Sequence, residues 1–252
     1  MTVKEMHREV KISLDKVDSA SLPEISPSEL DFYLNEAINR FVKTRYGRNN
    51  IYKRGFEEIQ KRTEDLKAIV KTRYVALTAH ELYNNAGLNV YKANLSLISN
   101  VVNNIRVLDT ESKYMFFSKA KVLITSNGCS KWVKCELSQQ DDFTAIANDP
   151  FNKALIYKPI VFFEDGDILI QSVEGGTVTD FLLTFIKIPT KVYLGTYPLP
   201  GVIFTGPVPE IACDLSEHTH KEIVQLAVTI ILENIGSPRV QSQIPVNLNN
   251  VE

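Results

Sequence analysis

The sequence lacks an apolar run long enough to cross a bilayer, because no stretch reaches the roughly 18 consecutive apolar residues that a span requires. Its first residues, MTVKEMHREVKISLDKV, contain no apolar core of the kind found in export signals, so we expect no secretory signal. Cysteine is scarce. Cys129, Cys135 and Cys213 form an odd set, which favours unlinked thiols in a reducing compartment over a disulfide framework.

A strong net charge is missing as well. The 252 residues carry a formal net charge of −2, which gives no general attraction to nucleic acid or to anionic membranes and leaves room only for local basic patches. A hydrophobic content of 44% and a charged content of 23% are ordinary for a globular protein. The length allows one large domain or two smaller ones with a sizeable core.

The most apolar stretch is SEHTHKEIVQLAVTIILENIG, from Ser216 to Gly236, and it predicts one helix. Ser216 is a suitable N-cap, while Gly236 and Pro238 are suitable terminators. A helix that is apolar around most of its girth must be covered on several sides. One small domain can hardly cover it, so we expect neighbouring copies of the chain to contribute. The predicted subunit-interface residues are Ile223, Val224, Leu226, Val228, Ile230 and Ile231.

Two further helices are predicted near the start of the chain. Residues 1–20 are expected to form an extended arm, because Val10, Ile12 and Leu14 alternate with polar residues as in an edge strand. Ser26 then opens an amphipathic helix that runs to about Tyr46. Its apolar face consists of Leu30, Leu34, Ala37, Ile38 and Phe41. A second amphipathic helix is predicted from about Ile51 to Val70.

Between Lys71 and about Ile211, the apolar residues recur with the period of two that is typical of strands. Strands are favoured over 89–108, one hairpin is predicted around Asn127-Gly128, and another around Asp165-Gly166. A short helix is expected over 138–148. Further expectations are a strand over 178–188, an extension of the sheet edge at 191–194 and a Pro-rich loop over 197–210.

The predicted fold class is α+β, with a helical module, an inserted antiparallel β-rich, sandwich-like region and extended terminal arms. The expected domains are an N-terminal arm (1–20), a helical module (21–70 with 212–240), a β-rich module (71–211) and a C-terminal arm (241–252).

No residue pattern indicates catalysis, a metal or a cofactor. The acidic run at 164–167 lacks the spaced oxygen ligands and closing Glu of a calcium loop, so we interpret it as a hairpin turn. His218 and His220 have the wrong spacing for a helical zinc pair, and we assign them structural roles. Gly175-Gly176 lacks the lysine and the helix start of a phosphate-binding loop. Active sites assemble from remote positions, so an enzyme is not excluded on sequence alone.

One cluster of basic residues surrounds the predicted turn that connects the helix ending at about Tyr46 to the next helix. It consists of Lys43, Arg45, Arg48, Lys53 and Arg54. The simple interpretation is a solvated helix corner, and the alternative is contact with DNA or with an acidic partner. Trp132, on the Asn-Gly hairpin, is expected in the core.

Several segments resemble the neck and tail ring proteins of crAss-like bacteriophages. They are EMHREVKISLDKVDS, PSELDFYLNEAINRFVKTRYG, Asp141-Asp142-Phe143, Asp149 to Lys153, Phe185 to Pro189, and the closing helix from Leu215 to Val240. These motifs are structural rather than catalytic, and they extend over most of the chain.

The resemblance implies a non-enzymatic virion protein that forms a closed ring, often of twelve subunits, in the connector between portal and tail. Its implied partners are other copies of itself, the portal, other neck and tail rings, and double-stranded DNA that passes through the lumen during ejection. It also implies synthesis in the host bacterial cytoplasm and no membrane partner. The alternative function is a β-sandwich module that binds carbohydrate or a receptor, with exposed aromatics such as Tyr193 and Tyr197 as its cue.

Overall fold

A computed structural model describes residues 1–15, 25–47, 58–79, 89–102, 105–126, 128–142, 146, 149, 151, 154–172, 177–195 and 209–235. The chain divides into two compact units. The helical unit comprises Met1–Ile69 and Pro189–Glu252, and the β unit comprises Val70–Ile188. The predicted C-terminal arm, at 241–252, lies outside the described residues.

The described elements confirm the α+β class with an antiparallel β-rich region. The helices are α1 (Val3–Asp15), α2 (Pro27–Tyr46), α3 (Gln60–Leu66) and α4 (His220–Ile235), with a 3-10 turn at Glu217–Thr219. The strands are β1 (Val70–Ala79), β2 (Asn89–Val102), β3 (Ile105–Leu108), β4 (Tyr114–Ser126), β5 (Cys129–Lys134), β6 (Glu136–Leu137), β7 (Ile160–Glu164), β8 (Asp167–Ser172) and β9 (Thr177–Lys187).

The expected N-terminal strand is wrong, because residues 3–15 form α1. Val3, Met6, Val10 and Leu14 follow one another at spacings of three, four and four, and all four are buried. This helical stripe outweighs the short alternation of residues 10, 12 and 14, and it leaves Ile12 on the exposed side of α1 at 40%.

α2 begins as the sequence predicts. The backbone N–H of Glu29 donates to the Ser26 hydroxyl, and the Ser26 N–H donates to the Glu29 carboxylate at 2.8 Å, which completes a capping box. The Glu29 carboxylate accepts hydrogen bonds from the Ser26 backbone N–H and, with a smaller effect, from the Ser26 hydroxyl, and these two bonds lower the pKa of Glu29. The predicted apolar face is confirmed, because all five of its residues are buried.

α2 also carries the polar side chains that tie the helical unit together. The buried carboxylate of Asp31 lies 2.6 Å from His7 on α1 and accepts the backbone N–H of Leu194 at 3.0 Å. Asn35 exchanges two hydrogen bonds with the backbone of Val192. Residues 192–194 are therefore held by α2, and the unit boundary falls at Pro189 rather than after residue 211. The expected extension of the sheet edge is wrong, because residues 191–194 belong to none of the described strands and Tyr193 instead forms an isolated bridge with Ile211.

The second predicted helix is shorter than expected. In the described region it spans Gln60–Leu66 only, because Ile59 is extended and β1 begins at Val70. Residues 51–57 of that prediction lie outside the described residues. The closing helix is confirmed, although its start differs. The Ser216 side chain forms no cap hydrogen bond, and its carbonyl instead accepts the Thr219 N–H and hydroxyl.

The described strands form one sheet in the order β5-β4-β9-β1-β2-β8-β7-β6, with β3 paired to β2. The pairs are antiparallel except β6 with β7. β5 and β6 stand at opposite ends of this order, yet only Cys135 separates them in the chain. The Cys135 N–H donates to Ala120 of β4, and the next N–H, from Glu136, donates to Pro159 before β7. The sheet therefore curls until its two ends meet.

One apolar core fills the concave face of this sheet. Its central side chains alternate along the strands, as period-two patterning requires. They include Ala120, Val122 and Ile124 of β4, Phe181, Leu183 and Phe185 of β9, and Val161, Ile168 and Ile170 of β7 and β8.

Both predicted hairpins are confirmed. β4 and β5 pair from Lys121↔Lys134 to Ser126↔Cys129, with Gly128 at φ 78° in the turn. β7 and β8 turn through Asp165 and Gly166, whose φ values of 52° and 77° give the two left-handed residues that a type I′ turn needs. The strands predicted over 89–108 and 178–188 are confirmed by β2, β3 and β9. Residues 138–142 of the helix predicted over 138–148 are not helical. Ile146 is helical, and its N–H donates to the Asp142 carbonyl oxygen at 2.8 Å. The other residues between 143 and 148 lie outside the described residues.

Candidate functional site

The six predicted interface residues on α4 are mostly inside the protein. Ile223, Val224, Val228, Ile230 and Ile231 are buried, and only Leu226 of the six is partly exposed. Both α1 and α2 contact α4. The premise that the closing helix needs cover from neighbouring copies is therefore wrong, because α1, whose residues were expected to form an extended arm, contributes that cover.

The basic cluster near the end of α2 is not one surface. Lys43 is exposed, but Arg45 is 1% exposed and forms an ion pair with Asp65 of α3, Nε to Oδ2, at 2.8 Å. Arg45 also binds the carboxylate of Glu222 on α4. Its guanidinium lies 4.8 Å from the centre of the Phe41 ring. Arg45 is thus a structural residue that joins three helices, and it is not available for DNA contact. Arg48, Lys53 and Arg54 lie outside the described residues.

The two histidines at the start of the closing helix are bound within the helical unit. His218 Nε2 lies 3.0 Å from Asp65 Oδ1, so it shares the carboxylate that pairs with Arg45. His220 is buried, and its Nε2 lies 3.1 Å from the Leu215 carbonyl oxygen. These contacts support the structural roles assigned to both residues.

Across the described ranges, no group of three or more His, Cys, Asp or Glu side chains is placed to hold a metal ion. The described helices include none that is long and apolar enough to span a membrane. The three cysteines are free. Burial raises the pKa of the Cys135 thiol to about 12, whereas Cys129 is exposed on β5.

Tyr193 does not offer the exposed aromatic ring expected of a carbohydrate-binding module. It is only 2% exposed, and it belongs to the helical unit. Tyr197 lies outside the described residues. The expected core position of Trp132 is also wrong. Trp132 lies on the convex face of the β unit at 38% exposure, with its ring centre 6.2 Å from that of Tyr74.

The convex face of the β unit carries the features that sequence reasoning missed. Arg106 of β3 lies 4.4 Å from the centre of the Tyr74 ring and pairs with Asp180 of β9 at 2.6 Å. Lys119, Lys121 and Lys134 are exposed on the neighbouring strands β4 and β5. Lysines at alternate positions of a strand, followed by an Asn-Gly turn and more lysine, are the sequence signal that would have found this face.

Several large apolar side chains are also exposed in the described residues. In the β unit, Phe151 is 88% exposed, Tyr157 is 74% exposed and Leu137 is 53% exposed. In the helical unit, Phe32 on α2 is 65% exposed. Its described aromatic contact is an edge-to-face one with the adjacent Tyr33. Such side chains are candidates for contact with other protein subunits.

Comparison with known proteins gives one family. The model of the family described as phage tail ring protein 3/4, from crAss-like phages, matches residues 1–237. No curated protein matches the chain. The family match extends over nearly the whole sequence and confirms the resemblance drawn from the sequence segments.

Proposed function

We propose that this chain, which belongs to the phage tail ring protein 3/4 family, forms a closed ring in the neck of the virion, between the portal and the tail. The family makes the protein a structural component of the phage tail ring. The finer proposal is that the ring surrounds the channel through which double-stranded DNA leaves the capsid. The single observation that carries this proposal is the family match over residues 1–237.

The exposed apolar side chains support assembly into a ring. A ring requires two different surfaces on each subunit that fit one another and close after a fixed rotation. Contiguous exposed apolar surface marks sites of protein contact, and Phe151 and Tyr157, six positions apart in the chain, are the most exposed large apolar side chains that the structure describes. We propose that these two residues, together with Leu137, contact a neighbouring subunit, and that Phe32 of α2 contacts a subunit or an adjacent ring.

The role that we propose is geometric rather than catalytic. The ring would keep adjacent rings of the stack in a fixed orientation, seal the junction between them and adapt the surface of one ring to that of the next. Twelve subunits, contacts with the portal and other ring proteins, and synthesis in the host cytoplasm are parts of the same proposal. The α4 residues contribute to this role from inside the subunit, by fixing the helical unit that presents α2.

Electron microscopy of the purified protein, alone and with its portal partner, tests the proposal. We expect annular particles from the natural sequence. A double variant, Phe151→Ser with Tyr157→Ser, should lose annular particles while its thermal unfolding stays unchanged. Val107→Ser, at another exposed apolar position of the β unit, is the matched control and should assemble normally. A chain that stays monomeric even within assembled virions would contradict the proposal.

A further inference from the structure

Three lysines share the convex face of the β unit. Lys121 and Lys134 are directly opposite one another across the antiparallel pair β4–β5, and Leu123 is opposite Trp132 in the same ladder. The intervening residues, Val122 and Val133, point to the core. Because successive side chains of a strand alternate between faces, Lys119, Lys121, Lys134 and Trp132 lie together on the convex face. We name this set the lysine face.

The lysine face lies in a segment without acidic residues. Residues 113–134 contain five lysines and no Asp or Glu, so this segment carries +5 and the rest of the chain carries −7. Within the described parts of the chain, Lys119, Lys121 and Lys134 form no salt bridge. The acidic residue opposite Leu123 is Asp180, and its carboxylate is bound by Arg106 at 2.6 Å. Asp180 therefore does not neutralise the charges of the three lysines.

Protection of a sheet edge does not explain these lysines. Lysine on an edge strand prevents unwanted strand pairing, and this accounts for Lys134 on β5. Lys119 and Lys121 are on β4, which pairs with β5 on one side and with β9 on the other. Like charges directly opposite one another in a sheet are destabilising. The arrangement lowers stability, and an anionic partner would offset that cost.

We propose that the lysine face binds the phosphate backbone of duplex DNA without reading its sequence. The choice of DNA among polyanions rests on the proposed function, in which DNA runs through the ring. Alternate residues of a strand are about 6.6 Å apart, close to two steps of the roughly 3.4 Å axial spacing of phosphates on one DNA strand. Lysine contacts to phosphate are not base-specific, so the DNA can still move past them. Copies around a ring would add their weak contacts together.

Trp132 gives a readout at the proposed site itself. It is the one tryptophan of the chain, and it lies on β5 two residues from Lys134. We expect iodide, an anion, to quench its emission more strongly, and caesium more weakly, than each ion quenches a free tryptophan amide, because the lysines concentrate anions and repel cations around it. Addition of duplex DNA of random sequence should change the emission and protect Trp132 from iodide.

The salt dependence of binding measures the number of phosphates that the protein neutralises. For the full chain, the affinity for the duplex should fall between about 50 and 200 mM salt. The double variant Lys121→Gln with Lys134→Gln should bind more weakly, and its slope of log affinity against log salt should be shallower by about 0.9 for each phosphate that it no longer neutralises. Lys4→Gln with Lys11→Gln, at exposed positions of α1, changes the net charge equally and should leave the slope unchanged.

Three results would overturn the proposal: no duplex binding by the natural chain at low salt, equal binding by both double variants, or binding that leaves Trp132 unaffected. A lysine-face variant that binds DNA normally but fails to join an adjacent ring would instead assign this face to an acidic protein surface. Electron microscopy of the same samples keeps the two proposals apart. Annular particles without DNA binding contradict the lysine face alone, whereas the absence of particles contradicts ring formation.

Discussion

Arg45 and Asp65 form a buried ion pair between α2 and α3, with Nε and Oδ2 2.8 Å apart and both side chains no more than 2% exposed. Glu222 of α4 binds the same guanidinium, and His218 binds the same carboxylate. Arg62 is buried nearby, and burial, followed by repulsion from Arg45, lowers its pKa. α2, α3 and α4 thus meet at a cluster of charges in which the loss of one side chain leaves another without a partner.

We expect Arg45→Ala to destabilise the protein by about 3–5 kcal/mol, because it leaves the buried carboxylate of Asp65 without the guanidinium that pairs with it. Urea unfolding followed by circular dichroism measures the change. Lys43→Ala, at an exposed position two residues away, is the control and should change the free energy of unfolding by no more than about 0.5 kcal/mol. If Arg45→Ala left stability unchanged and only weakened DNA binding, the structural role would be wrong.

The helical state of residues 3–15 is tested by two neighbouring apolar positions. Val10 is buried, whereas Ile12 is 40% exposed. Val10→Asp places an unpaired carboxylate in the core and should cost several kcal/mol, on the order of 3. Ile12→Asp should be nearly neutral in thermal unfolding. A strand with both residues on its buried face predicts similar destabilisation by the two variants, so that result would restore the edge-strand interpretation.

Two residues of α4 separate its role in the core from a role in assembly. Ile230 is 4% exposed, and Ile230→Asp should destabilise the subunit itself by several kcal/mol, on the order of 3, whether or not rings are present. Leu226 is partly exposed, so Leu226→Asp should leave a folded subunit. Light scattering of Leu226→Asp then shows whether α4 contributes to the ring. Monomeric, normally folded Ile230→Asp would contradict the burial of this side chain within its own subunit.

Local chemistry explains which parts of the fold were predictable. The turn residues Asn127-Gly128 and Asp165-Gly166 specify tight hairpins almost by themselves, and Ser26 with Glu29 specifies a helix start. Each signal lies within four residues. The α+β class followed from these signals and from the periods of the apolar residues.

Long-range packing explains the rest. Arg45 is buried because its partners, Asp65 and Glu222, are 20 and 177 positions away, which the local charge pattern does not show. The apolar residues of α4 are buried partly by α1. Because the residues of α1 were assigned the period of a strand, α4 was expected to need neighbouring subunits for its burial. Strand register across the whole β unit likewise determines that the sheet ends meet at Cys135. It also determines which face of the sheet Trp132 occupies.

The closure of the sheet predicts unequal thiol reactivity. Cys135 lies where the sheet ends meet, is 4% exposed and has a pKa raised by burial to about 12, so it should stay unmodified in the native protein. Cys129, six residues away and exposed, should react quickly with a thiol reagent at neutral pH. Mass spectrometry of partially labelled Cys213→Ser protein distinguishes the two sites. Rapid labelling of Cys135 without unfolding would mean that the sheet ends open.

Asp109 predicts a pH-dependent contribution to the stability of the β unit. Burial acts to raise its pKa, but hydrogen bonds from Arg73 of β1, at 2.7 Å, and from Ser112 lower it to about 2. Because the folded pKa lies below the ordinary value of 3.8, ionised Asp109 stabilises the fold fully above about pH 4. That contribution is lost as the pH falls from about 4 to about 2.

Asp109→Asn should therefore be less stable than the natural chain at pH 7, by roughly 1–3 kcal/mol, since it removes a charged hydrogen-bond acceptor from Arg73. The difference should shrink as the pH falls, and at pH 2 the two proteins should unfold much closer together. Other carboxylates titrate in both proteins and cancel in the comparison. Urea unfolding at a series of pH values measures the gap, and a gap that stays constant from pH 7 to pH 2 would show that the Asp109–Arg73 pair does not depress the pKa of Asp109.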